Sequence, residues 1–375
     1  MLDMIPFIDL AAQRARIKDD LDARIARVLE EGRYILGPEV SELEQRLRDF
    51  GRAPHAIACA NGTDAILLPL LAWGVKPGHA VFVPSFTFAS TAEVVALIGA
   101  SPVFVDIDPD TYCMDPASLD AAIEHVRAQG ELEPAAVIAV DLFGQPADYV
   151  AISTVARRHG LRLIADSAQG FGCTLHGEHP IQWADATTIS FYPAKPLGCY
   201  GDGGAILVRD DATHALIKSL HIHGEGADRY EYARIGLNSR LDTIQAAILL
   251  AKMEVFEDEI DKRNEAADRY ADGFAGIVKP HTVIEGGRSV WAQYTIEVES
   301  RDAFRKALAD QGVPTAVYYP RPLHMQPPYA RFPKAPGGLP VTEAAAERVV
   351  SLPMDGYLGG ERQQRVIDAV RATLG

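Results

Sequence analysis

Lys195 and Asp166 are the residues whose types and placement can do chemistry together. Lys195 follows the apolar run 186–191 through Tyr192-Pro193-Ala194, and Pro196-Leu197-Gly198-Cys199-Tyr200-Gly201-Asp202-Gly203-Gly204 leads from it into a second apolar run, 205–209. Burial lowers the pKa of a lysine, and the unprotonated amine attacks a carbonyl to form a Schiff base. A lysine on a solvated turn has the same local signature, so partners must decide between the two readings. Asp166 closes the run 161–165, which is apolar enough to be buried, and a carboxylate there is costly unless it meets a cation. It serves either as a helix cap or structural ion pair, or as the partner of a protonated pyridine nitrogen. The second role, joined to a Schiff-base lysine, is how a protein makes pyridoxal phosphate an electron sink.

Two further segments supply what such a cofactor would need. Asn61-Gly62-Thr63 opens a helical stretch directly after a strand, where free N–H groups and the helix dipole favour a phosphate and the Thr63 hydroxyl adds a donor. Simple capping by Asn61 or Thr63 is the alternative. Phe88, in Pro84-Ser85-Phe86-Thr87-Phe88-Ala89, offers a ring to stack on an aromatic group or to join a core.

These residues require a scaffold that brings strand ends together, and the hydrophobic pattern predicts one. Apolar runs at 55–60, 80–84, 102–106, 135–142, 161–166, 186–191 and 205–208 alternate with helical stretches such as 90–97 and 147–159. Near-continuous apolar strands between helices imply an α/β fold with a mostly parallel sheet covered on both faces, where ligands bind beyond the strands' carboxyl ends. Upstream, Ile17, Leu21, Ile25, Val28 and Leu29 form one face of an amphipathic helix ended by Gly32, and a second helix spans about 39–50. After Asn238-Ser239-Arg240-Leu241-Asp242 a long helix is predicted toward Ile260. Its charged continuation, 257–269, joins a large domain (1–250) to a smaller C-terminal one (251–375), with a strand near 290–298 and helices near 303–309 and 342–350.

The 375 residues are 48% hydrophobic and 23% charged, an ordinary globular composition. A net charge of −15 argues against nucleic acid or an anionic membrane as partner and leaves small-molecule chemistry. No apolar run reaches membrane-spanning length, and the first residues lack the pattern of a secretory leader, so a cytoplasmic location is expected. Cys59, Cys113, Cys173 and Cys199 lack paired spacing, which fits free thiols. His221 and His223 form an H-x-H without further ligands at metal spacing, so no metal is expected. Residues 224–229 read as a flexible polar loop, and His324 as a solvated loop residue or a substrate contact.

The segments NGTDA, PSFTFASTAE, VDIDPDTYCMD, DSAQGFG, SFYPAKPLGCYGDGGA and NSRLDTIQAAIL together resemble the DegT/DnrJ/EryC1/StrS family of sugar aminotransferases. The resemblance implies the aspartate aminotransferase-like fold, type I of the pyridoxal-phosphate-dependent transferases, and a homodimer with shared active sites. It also implies ping-pong transfer of an amine from L-glutamate, released as 2-oxoglutarate, to a nucleotide-linked keto sugar, with pyridoxamine phosphate as the intermediate form. Lys195 then corresponds to the lysine of the internal aldimine and Asp166 to the partner of the pyridine nitrogen. Gln169 and Phe88 correspond to residues packed on the ring, Gly62, Thr63 and Ser190 to phosphate-binding positions, and Asn238 to an asparagine that reaches the phosphate from the partner subunit. The closest resemblance is to enzymes that aminate C3 of UDP-linked 3-keto sugars, in particular the 3-keto derivative of UDP-N-acetylglucosaminuronic acid. Gly32, Tyr34, Ala194, Arg240, Tyr318 and Tyr319 match their sugar-nucleotide positions. Ala194 stands where serine occurs in that group and Tyr318 where histidine is common. A dTDP-linked 3- or 4-keto sugar is the alternative substrate, and a sugar dehydratase or a non-catalytic binding protein are more distant rivals. Dehydratases of this type carry histidine at the position of Lys195.

Overall fold

The computed structural model describes residues 5–228 and 230–375. Arg229, within the expected loop 224–229, and the four residues at the start lie outside them. Three helices come first: α1 (Leu10–Arg16), α2 (Lys18–Glu31) and α3 (Pro38–Gly51). Gly32 ends α2 in the left-handed conformation, with φ 68°, that glycine adopts without penalty. The strands β1 (His55–Cys59), β2 (His79–Pro84), β3 (Ser101–Val105), β4 (Glu133–Val140), β5 (Arg162–Asp166), β6 (Thr174–Leu175), β7 (Ala186–Ser190) and β8 (Gly204–Val208) follow. All but the short β6 form one seven-stranded sheet of order β1-β8-β7-β5-β4-β2-β3. β8 runs antiparallel to β1 and β7, and every other pair in the sheet is parallel.

The crossovers are made by α4 (Gly62–Ala72), α5 (Ser90–Leu97), α6 (Pro116–Gln129) and α7 (Tyr149–Arg158), and α8 (Asp211–Leu220) follows β8. They bury the sheet on both faces, as its apolar strands demand. Phe82, Val103 and Ile138 pack with Leu119 and Ile123 of α6 and Ile152 of α7. On another side, Leu43 and Leu47 of α3 meet Leu207 of β8. Each such side chain contributes roughly 1.5–3 kcal/mol relative to exposure. Both sheet edges are covered. Glu44 of α3 accepts the Ala58 N–H at 2.9 Å beside β1, while Phe104 of β3 exchanges backbone bonds with Pro333 and Ala335 at 2.9 and 2.8 Å.

The helix expected to run unbroken toward Ile260 is two helices, α9 (Thr243–Met253) and α10 (Phe256–Phe274). α9 is buried nearly all round, whereas α10 is amphipathic and starts afresh with Glu257, Asp258 and Glu259 in its first turn. After β9 (Gly287–Arg288) come β10 (Tyr294–Glu297), α11 (Arg301–Asp310), α12 (Pro340–Arg348), β11 (Val349–Leu352) and α13 (Gly360–Leu374). The helix expected over 342–350 thus stops at Arg348. Val349 and Val350 belong to β11, antiparallel to β10, where β-branched side chains fit the pleat. Tyr270, Phe274, Tyr294, Ile296, Val350, Val366 and Val370 share a separate apolar cluster. Leu339, Ala345 and Ala346 pack instead with the sheet's first core. No helix among the described residues is long and apolar enough to cross a membrane.

Candidate active site

The carboxyl ends of β1, β5 and β7 point to one side of the sheet, and β8 begins there. Gly204 is opposite Cys59 on one flank and Ser190 on the other. A Cβ on Gly204 would stand 2.4 Å from the Asn61 carbonyl oxygen, and one on Gly62 would stand 2.7 Å from the Ser190 Cβ. Glycine at both positions lets the start of α4 lie directly on the end of β7. Asn61 caps α4 by accepting the Asp64 N–H at 2.8 Å. The first intrahelical bond is donated by Ala65, so the N–H groups of Gly62 and Thr63 lie ahead of the helix's own ladder. The free N–H groups of Gly62 and Thr63 and the neighbouring Ser190 hydroxyl thus gather donors of the kind that bind an anion at a helix start.

Asp166 lies deeper, 3% exposed. Its Oδ1 accepts the Ala168 N–H at 3.1 Å and the Thr188 hydroxyl at 3.4 Å. Burial raises its pKa, against the opposing pull of the Ala168 bond and the Lys195 ammonium. Lys195 reaches the same pocket from the turn after β7, its N–H bonded to the Tyr192 carbonyl at 2.8 Å. Its amine is lowered below the usual lysine range by burial, with Asp166 pulling the other way. The pair has the character of a nucleophilic amine facing a carboxylate that needs a cation.

Gln169 is buried on the turn after β5. Its Oε1 accepts the Phe143 N–H at 2.9 Å and its Nε2 donates to the Tyr319 hydroxyl at 3.1 Å. Tyr319 lies edge-on to Phe86, with ring centroids 6.2 Å apart, and 6.4 Å from Phe88. Burial, followed by the Asp166 charge, raises its hydroxyl pKa. Tyr319 thus belongs to the Asp166 end of the pocket. Phe88 is 57% exposed, an apolar ring presented to solvent at the mouth. Tyr318 and Ala194 are half-buried, and burial and then Tyr192 raise the Tyr318 pKa.

The other expected positions form a second group. Gly32 and Tyr34 lie on an exposed loop that α9 holds down: the Tyr34 carbonyl accepts the Thr243 N–H at 2.9 Å, and the Gly37 N–H donates to the Thr243 hydroxyl at 3.0 Å. Asn238 is exposed, and Arg240 has a buried Nε with no protein partner. Ser239, between them, accepts the Ala60 N–H at 3.2 Å and so ties this segment to the turn before Gly62.

Several groups fall outside the sequence reading. Thr91 and Thr188 both bond Asp166, and Asp141, directly after β4, is fully buried behind it. Asp141 was hidden because the run 135–142 reads straight through it, yet a carboxylate inside so apolar a run is the same signal that singles out Asp166. His324 is neither solvated nor free for a substrate. Its Nδ1 meets the Ser85 hydroxyl at 2.7 Å and its Nε2 meets Glu343 at 3.0 Å. His221 is buried, with Nδ1 3.2 Å from the Ile217 carbonyl. Residues 224–228 carry backbone pairing, the Gly226 N–H donating to the Glu231 carbonyl at 2.7 Å. Among the described residues one cluster, Asp120, Glu124 and His159, has ligand-like spacing, but Arg158 pairs with Asp120 and Arg127 with His159. The four cysteines are free and buried.

A buried carboxylate in want of a cation, a depressed amine, an exposed ring and a helix start with free N–H groups seated on a strand end fit a phosphorylated pyridine aldehyde. Comparison with known proteins agrees. The model of the DegT/DnrJ/EryC1/StrS aminotransferase family matches residues 15–371. The UDP-2-acetamido-2-deoxy-3-oxo-D-glucuronate aminotransferase of Pseudomonas aeruginosa is 49% identical over 357 residues, 95% of this chain and 96% of the relative. The crystal structure of a DegT DnrJ EryC1 StrS aminotransferase from Brucella abortus superposes with a TM-score of 0.98 at 50% identity, over 99% of this chain and 100% of that one. NtdA from Bacillus subtilis, with bound cofactor PMP, superposes with a TM-score of 0.89 at 30% identity, over 100% of this chain and 86% of its own. These likenesses bear out the expected type I transferase fold. The chain belongs to the DegT/DnrJ/EryC1/StrS aminotransferase family.

Proposed function

We propose that the protein is a pyridoxal-phosphate-dependent aminotransferase that converts a UDP-linked 3-keto sugar to the 3-amino sugar, with L-glutamate as donor. The observation that carries the chemistry is the burial of Lys195 against Asp166, and the 49% identical relative supports the sugar. When bound, pyridoxal phosphate supplies an electron sink for the carbanion at the amine-bearing carbon. The Lys195 amine takes the proton from the donor's α-carbon and returns one to the sugar's C3 in the reverse half-reaction. Asp166 holds a proton on the ring nitrogen. Gln169 and Phe88 flank the ring, and Gly62, Thr63 and Ser190 bind the phosphate, joined by Asn238 from a partner subunit. Arg240, Tyr318, Tyr319, Ala194, Gly32 and Tyr34 receive the nucleotide sugar.

We infer further that the large domain ends near residue 250, that the subunits pair as a homodimer, and that the protein works in the cytoplasm, where its free buried thiols need no oxidant. The exposed Asn238 and the apolar surface of Tyr34, Ile35 and Leu36 support the pairing. The test offers UDP- and dTDP-linked 3-amino sugars to the reconstituted enzyme with 2-oxoglutarate and measures glutamate formed. Turnover of the UDP sugars is expected. Turnover confined to dTDP sugars would overturn the nucleotide assignment, and turnover of none would overturn the reaction.

A further inference from the structure

Asp141 has no place in the chemistry above, yet it is the most enclosed carboxylate near it. It directly follows β4, the neighbour of β5 in the sheet, and its own N–H donates to the Asp166 carbonyl at 3.0 Å. Its Oδ2 accepts the Ser167 hydroxyl at 2.5 Å, and its Oδ1 accepts the Tyr149 hydroxyl at 2.6 Å and the Ala147 N–H at 3.0 Å. Gly170 rests on it so closely that a Cβ there would stand 2.3 Å from the Asp141 Cβ. The turn 166–170 is therefore gripped from beneath at Ser167 and Gly170. Phe143, two residues after Asp141, holds Gln169 of the same turn. The turn also folds on itself, since the Gly170 N–H donates to the Ser167 carbonyl at 3.0 Å. Asp166 and Gln169, which project into the pocket, thus inherit their positions from this support.

We propose that Asp141 is a positioning residue: through the Ser167 hydroxyl and the packing of Gly170 it fixes the turn that aims Asp166 and Gln169 at the cofactor ring. The proposal rests on the pyridoxal phosphate reading of the site. The titratable groups facing Asp141 are Tyr149 of α7, Cys113, Cys173 and Asp166, and burial raises its own pKa to about 7.

The test titrates wild-type apoprotein and three variants with pyridoxal phosphate, following absorbance, with a thermal melt of each apoprotein as control. Ser167→Ala is expected to lower the melting temperature no more than Tyr149→Phe does, since each removes one hydrogen bond to the Asp141 carboxylate, and to bind the cofactor about tenfold more weakly. Asp141→Asn is expected to weaken binding and to move the midpoint of the bound cofactor's spectral pH titration downward, because a negative neighbour has been removed. Tyr149→Phe, which removes a partner of Asp141 on the side away from the turn, is expected to lower the melting temperature and spare the affinity. If Asp141→Asn does not fold, Ser167→Ala decides alone. Wild-type affinity in Ser167→Ala, or equal losses of affinity in Ser167→Ala and Tyr149→Phe, would overturn the proposal. Failure of the wild type to bind would instead overturn the cofactor reading.

Discussion

Burial pushes Lys195 and Asp166 in opposite directions, each toward its neutral form, and their mutual attraction only partly restores the charges. A lysine so placed offers a free amine at pH values where a solvated lysine is an ammonium. Lys195→Ala is therefore expected to cut turnover by at least ~10²–10⁴-fold, the range for a lost general acid–base group, and to lose the borohydride-stable attachment of pyridoxal phosphate. Attachment to the variant at full stoichiometry would show that another amine does the work. Asp166→Asn should bind the cofactor and turn over slowly, measured by steady-state kinetics. Elsewhere His281 is buried among Phe143, Trp291 and Tyr294, and burial lowers its pKa from 6.5 to about 4. The unfolded chain therefore binds a proton that the folded one refuses, so His281's contribution is present above pH 6.5 and lost as the pH falls through about 4. His281→Phe should show a smaller drop in melting temperature across that window, as calorimetry would reveal. At this scale the sequence was most legible where a charge ended an apolar run, as at Lys195 and Asp166. It was least legible at His324, because its partners Ser85 and Glu343 are distant in the chain and only the folded contact identifies it.

Elements carry the precision of the phosphate cradle. The closeness of Gly62 to Ser190 means that Gly62→Ala must push the start of α4 off the end of β7, at a cost of about 1–3 kcal/mol for overpacking. Pyridoxal phosphate affinity of the variant should fall, while pyridoxal without its phosphate should bind as it does to wild type. An equal loss for both ligands would place the effect on the fold and not on the cradle. The seven strands of the large sheet were legible almost to their ends because strands buried on both faces read as unbroken apolar runs, whereas the short β6 and β9 were not read. The division between α9 and α10 was not read, although Glu257, Asp258 and Glu259 mark a helix start by their favourable place near its N-terminus. The end of α12 was harder. Its switch to β11 depends on pairing with β10, a partner that periodicity within 342–350 does not contain.

Over the whole molecule, two loops that carry residues proposed above for the nucleotide sugar also expose apolar side chains. Ile235 is 96% exposed, and Tyr232 and Tyr34 are also open to solvent. With the dimer proposed above, Ile235→Asp should shift the sedimentation profile toward monomer and lower cofactor occupancy, because Asn238 lies on the same segment. A stable dimer with full occupancy would place the interface elsewhere. The sequence alone carried the family and the α/β architecture through its motifs. Where the second group of residues lies was not readable, since it depends on Thr243 and Ser239 tying separate loops to α9 and to β1.

The position of β1 also fixes an order of events during synthesis. This strand lies at the sheet's edge and pairs with β8 alone, His55 opposite Val208. Until residue 208 has left the ribosome, β1 has no neighbour to join and the phosphate cradle at its end cannot exist. At roughly 5–20 residues per second the nascent chain waits on the order of ten seconds in that condition. β2 to β5 have their neighbours sooner, so the end of the sheet that carries Gly62 and Ser190 is the last part to assemble, and the pocket closes only after most of the sheet is in place.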